Sequence, residues 1–201
     1  MAIRTFDVGE LIIEYNASEV YASWEESMRD ILDEDEEFVD LDGVGGNRQF
    51  APLAPVGLEE LRALTIIESQ HLHDIQEGNC TINDIRDEEE ALWEQDEFEP
   101  YMILDVGVRT VVMALLEIGA EPFSSCNGGS FSNDEHHTES YPLVAMYGPD
   151  DVLKLVENAA RKHRCGLYGA GGFGGKGALV LYADDVRKFV ALANEFFRFI
   201  E

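Results

Sequence analysis

The sequence predicts an α+β fold: an acidic, mostly helical N-terminal half packed with a C-terminal α/β sandwich of two helix–strand–loop–strand repeats and a final helix. Three observations carry this expectation. After residue 100, apolar residues recur with helical spacing and with short strand-like runs in alternation. Two stretches of that half resemble each other, residues 143–156 and 179–190, each an apolar run followed by tyrosine, Asp-Asp and an amphipathic segment. The charge is also divided. Residues 1–100 hold 28 acids, five arginines and no lysine, whereas residues 101–201 hold 13 acids and nine bases, together giving the net charge of −27.

Taken in order, residues 8–16 suit a strand or the start of a short helix. Ser18 is placed to open a helix with Val20, Trp24, Met28, Ile31 and Leu32 roughly on one face. Residues 33–48 are acidic and glycine-bearing, hence a loop; their spacing does not match a calcium-binding EF-hand. Helices are expected over 58–70 and 81–95, the second capped by Thr81 or Asn83, with a break at Pro100. Residues 105–118 form an apolar helix stopped by Gly119. Strands follow at 121–126 and 142–147, then a helix over 150–163 from an aspartate cap, a strand at 177–182 and a last helix over 184–200. A glycine-rich loop precedes the second strand of each repeat, residues 126–131 in the first and 169–176 in the second. The domain expectation is an acidic helical region at 1–100 and a repeat domain at 101–201, within one compact body or as two parts.

Composition excludes several classes. No run approaches the roughly 18 apolar residues of a membrane span. The N-terminus lacks the basic-then-apolar layout of a signal peptide, and three widely spaced cysteines suit a reduced compartment, so a cytoplasmic protein is expected. A chain this acidic repels phosphate at long range, which argues against nucleic acid, while the same field attracts a basic protein. Salt adaptation would spread acid over the whole surface, yet the second half is near balance.

The glycine loop at 169–176 contains Gly-x-Gly-x-x-Gly at Gly169, Gly171 and Gly174. It leads into a strand and not into a helix, so neither a dinucleotide site nor a P-loop fits; Lys176 is followed by Gly177. A small anion held by successive N–H groups is the ligand such loops could take, with Gly128, Gly129, Gly171, Gly172 and Lys176 as candidates. Cys126 at a strand end, with His136 or His137 to lower its pKa, is the candidate for covalent catalysis. The run Ser124-Ser125-Cys126-Asn127-Gly128 resembles the Ser-Ser-Cys-Ser-Gly-Arg segment of the wybutosine-synthesising tRNA methyltransferase family. Gly129 stands where that family has arginine, and the acidic charge opposes tRNA binding, so the assignment is not adopted. Neither His71-x-His73 with Cys80 nor His136-His137 with Cys126 has zinc-site spacing, and no metal or cofactor is expected.

The leading expectation is a binding protein of the inhibitor or immunity kind, steering a basic protein partner with carboxylates and anchoring it with aromatics. Asp33, Asp35, Glu36, Glu37 and Phe38 form one candidate surface. Asp87, Glu88, Glu89, Glu90, Trp93 and Phe98 form the other. The alternatives are a small Cys126 enzyme and a glycine-loop sensor of an anionic ligand.

Overall fold

The computed structural model describes residues 3–27, 53–95, 99–131, 139–171 and 176–200. Five strands form one sheet in the order β1-β4-β5-β3-β2: β1 (Ile13–Glu14), β2 (Glu121–Cys126), β3 (Leu143–Tyr147), β4 (Gly166–Gly171) and β5 (Gly177–Tyr182). β2, β3, β5 and β4 pair antiparallel, and the two-residue β1 adds to β4 in parallel, so the sheet is mixed. Among the described residues the longer helices are α1 (Leu58–Glu77), α2 (Ile82–Glu94), α3 (Arg109–Glu117), α4 (Asp150–His163) and α5 (Arg187–Phe196), and residues 24–27 are also helical.

The order α3-β2-β3 then α4-β4-β5, closed by α5, is the predicted repeat. Its two inner strands, β3 and β5, lie antiparallel from Leu143↔Tyr182 to Met146↔Leu179. Side chains alternate along these strands. Val144, Met146, Leu167, Leu179 and Leu181 join the main core with α3, α4 and α5, while Leu143, Ala145, Val180 and Tyr182 form a second cluster with Phe123, Tyr141 and Tyr168. α1 packs on α3 and α5 as an outer layer, and the main core runs from Ile3 and Leu61 to Phe196 across both halves of the chain.

Boundaries at 121–126, 150–163 and 177–182 fall where periodicity puts them, and 81–95 and 142–147 each shrink by a residue at one or both ends. Other expectations need correction. The helix expected from Ser18 starts later: residues 17–19 form a single 3-10 turn, the Asn16 side chain accepts from the Ser18 N–H, Val20 goes on to bridge Gly177, and residues 24–27 are helical. Met28, Ile31 and Leu32 lie outside the described residues. The helix expected at 105–118 begins only at Arg109, because Gly107 is held at φ +96 in the turn before it. α4 takes no side-chain cap from Asp150; Pro149 precedes it, and Asp150 and Asp151 stand in its first turn while Arg161, Lys162 and His163 stand in its last, each matched to the sign of the helix dipole at that end. Residues 169–171 of the glycine loop belong to β4, where Gly171 pairs with Gly177. α1 runs seven residues past its expected end, to a left-handed Gly78 whose N–H returns to Asp74 and Ile75.

Candidate functional site

α1 presents a buried stripe of Leu61, Leu64, Thr65, Glu68, Leu72 and Ile75. Their spacing is that of a core-facing helix, and Glu68 is its ionisable member. It is 1% exposed. Its carboxylate accepts from the N–H of Gly107 at 2.7 Å, of Arg109 at 3.2 Å and of Thr110 at 2.8 Å. These are orphan donors at the start of α3, so a side chain from α1 caps another helix and meets its positive dipole end. α3 has no cap of its own: Val108 stands at that position without a side-chain bond.

Arg109 is 5% exposed. Its Nη1 bonds Glu89 Oε1 of α2, its Nη2 donates to Glu89 Oε2 at 2.9 Å and to the Met102 carbonyl at 3.3 Å, and its Nε donates to the Leu104 carbonyl at 2.8 Å. A buried fork of this kind fixes α2 against α3. Glu68, Arg109 and Glu89 thus stitch three helices together.

A cleft of about 160 Å³ opens beside this network, between α1, α2 and the turn at 100–103. Leu64, Ile67, Ile85, Leu92, Tyr101 and Met102 supply its apolar walls, with Glu68, His71, Glu88, Glu89 and Arg109 as polar members. Burial, and then the Arg109 charge, hold the His71 pKa below its usual 6.5, so the imidazole is neutral at pH 7. At the mouth Ile67 is 45% exposed, and its neighbour Ile66 is 71% exposed. Residues 58–94 carry eleven acids against two arginines.

Of the sequence-predicted partner residues, Asp87, Glu88 and Glu90 are exposed on α2, and Glu88 lines the cleft. Glu89 turns inward to Arg109. Trp93 lies in α2. Asp33, Asp35, Glu36, Glu37, Phe38 and Phe98 lie outside the described residues, as do His136, His137 and Gly172.

Cys126 ends β2 and is 5% exposed. Burial pushes its thiol up, although backbone hydrogen bonds from Gly128 and Glu139 pull the other way. That is the reverse of the electropositive, accessible setting that activates a thiolate. The following turn is closed on itself. Gly128 N–H donates to Cys126 Sγ at 3.3 Å, Gly129 N–H to Asn127 Oδ1 at 3.0 Å, and Ser130 Oγ to the Asn127 carbonyl at 2.5 Å. The N–H groups of Gly128 and Gly129 are therefore used inside the loop. Gly128, at φ +65, passes so near the Tyr141 backbone that a Cβ would sit 2.3 Å from its carbonyl carbon. Gly171 is exposed in β4. Lys176 pairs with Glu26 at 2.6 Å and lies 5.8 Å from the Tyr21 ring centre. The three cysteines form no disulfide.

Among the described residues, no three His, Cys, Asp or Glu side chains converge as a metal site, and no helix is long and apolar enough to cross a membrane. Sequence reasoning missed Glu68, His71 in the cleft, and Arg109. The available signal for the first was an acid on the apolar stripe of 58–75; for the last, an arginine inside an otherwise apolar helix. Comparison with protein-family models, with curated proteins and with solved structures finds no match for this chain.

Proposed function

We propose that the protein is an acidic binding module, of the inhibitor or immunity kind, whose α1–α2 face receives a basic protein partner. One observation carries the reading: an apolar cleft with exposed isoleucine at its mouth opens between α1 and α2, whose stretch 58–94 carries eleven acids against two arginines. The charged groups at its floor are already engaged, Glu68 by backbone N–H groups and Glu89 by Arg109. What the cleft offers an incoming group is an apolar wall below a carboxylate rim. A lysine or arginine side chain suits it, because its methylene stem packs on Ile67, Leu92 and Met102 while its charged end stays near Glu88. The surrounding acid speeds the encounter, and the apolar anchor slows release.

Charge and anchor are separable by experiment. The partner, recovered on the immobilised protein at about 50 mM salt, is titrated against Glu88→Lys/Glu90→Lys and against Ile67→Ala. The charge reversal is expected to lower the association rate at least tenfold and to weaken its salt dependence. Ile67→Ala is expected to raise the dissociation rate. A complex indifferent to salt and to both substitutions would rule the reading out.

A further inference from the structure

The outer edge of the sheet points to a second binding surface, distinct from the α1–α2 cleft. β1 covers β4 over two residues, Ile13↔Leu167 and Glu14↔Tyr168. The chain then leaves the edge. Tyr15 sends its hydroxyl to Glu157 at 3.0 Å, and Asn16 opens the 3-10 turn at 17–19. β4 continues for three residues, Gly169, Ala170 and Gly171, which β5 pairs on the inner side. The parallel register Glu14↔Tyr168 engages the Gly169 N–H with the Glu14 carbonyl; beyond that, among the described residues nothing pairs with them on the outer side.

The direction of the free groups follows from the pleat. Leu167 turns its N–H outward, to the Ile12 carbonyl at 2.8 Å. With a two-residue period, Gly169 and Gly171 turn the same way. The Gly169 carbonyl and the N–H and carbonyl of Gly171 therefore face a cleft of about 520 Å³, walled by Tyr15, Asn16 and Glu19. Gly169 and Gly171 are exposed, and neither has a side chain to keep another backbone away. Natural edges are blunted by lysine, proline or a bulge; this one has none of them over 169–171. The cleft lining includes Glu14 and Glu19 and no lysine or arginine.

We infer that this edge accepts an extended, lysine-bearing segment of a partner protein as an added strand. The partner's backbone would pair with Gly169 and Gly171, and its lysines would face Glu14 and Glu19. Backbone pairing supplies the affinity in this mode, and the carboxylates select the charge.

The probe is a synthetic six-residue peptide of alternating lysine and valine, titrated into the full ¹⁵N-labelled chain. Saturable shifts of the Gly169 and Gly171 amides are expected. The same peptide with every internal amide N-methylated should bind at least tenfold more weakly. Glu14→Gln/Glu19→Gln should weaken the unmodified peptide several-fold and reduce its salt dependence. Gly171→Pro, checked for an unchanged melting temperature, should abolish the shift at Gly169. Equal affinity for the methylated peptide, shifts confined to α1 and α2, or no binding at millimolar peptide would each overturn the inference. So would a dimer in sedimentation that Gly171→Pro dissolves, since the edge would then serve a second copy of the chain. The α1–α2 reading rests on Ile67 and Glu88 and survives any of these outcomes.

Discussion

At the scale of single residues, one carboxylate does what a capping motif does elsewhere. Glu68 sits on the apolar stripe of α1 and satisfies three N–H donors at the start of α3. Glu68→Ala leaves those donors buried without partners, and is expected to cost about 3 kcal/mol. Glu68→Gln keeps one acceptor and the volume, and should cost about half as much. Denaturant midpoints at constant slope check both values. Gly128 illustrates the opposite constraint. Its left-handed φ and its approach to Tyr141 make it a packing glycine, whereas Gly171 meets nothing within 4 Å. The two look alike in sequence, each in a glycine-rich run, because a run does not reveal which glycine a neighbouring backbone approaches.

At the scale of elements, α2 is the instructive case. Its start was legible: Thr81 Oγ1 accepts from the Asp84 N–H at 3.2 Å while Asp84 Oδ2 accepts from the Thr81 N–H at 2.6 Å, a reciprocal cap. Its acid run looks solvent-directed throughout, yet Glu89 crosses to Arg109. Glu89→Ala strands a buried guanidinium and is expected to destabilise by about 3 kcal/mol. The double variant Glu89→Leu/Arg109→Met should be more stable than either single variant. A cycle in which the two effects simply add would show that the pair does not hold α2 in place. β4 was only partly legible. Three of its six residues are glycine, and such a stretch becomes a strand through its partners β5 and β1, not through its own propensity.

At the scale of the molecule, opposing shifts define a pH window. The folded His71 pKa lies below 6.5, so on acidification the unfolded chain takes up that proton first. The contribution of His71 is full above pH 6.5 and is lost as the pH falls through its folded value. On the alkaline side, burial pushes Cys165 from 9.0 to about 12, and Tyr15 and Tyr168 from 10.0 to about 12. The unfolded chain then ionises first, and stability declines as the pH rises above about 9. Carboxylates held below their usual range, Glu157 and Glu195 among them, act below about pH 4.5. Melting temperatures between pH 5 and 7 therefore isolate the histidine: wild type should lose stability as pH falls over that interval, and His71→Gln should flatten the slope.

By itself the sequence determined the class of fold, the order of helices and strands after residue 100, the likeness of their two repeats and the division of charge. These are local or summed properties: periodicity, turn chemistry and composition act within a few residues, or add over many. The tertiary structure alone decided that Glu68 caps α3, that Glu89 belongs to Arg109 and not to solvent, that Cys126 is buried beneath its own turn, and that β1 leaves three residues of β4 uncovered. The physical reason is range. The Glu68 and Glu89 contacts join groups 20 or more residues apart, the open edge depends on how far one strand covers another, and the burial of Cys126 depends on what packs over its turn; only the packing of distant elements sets such distances.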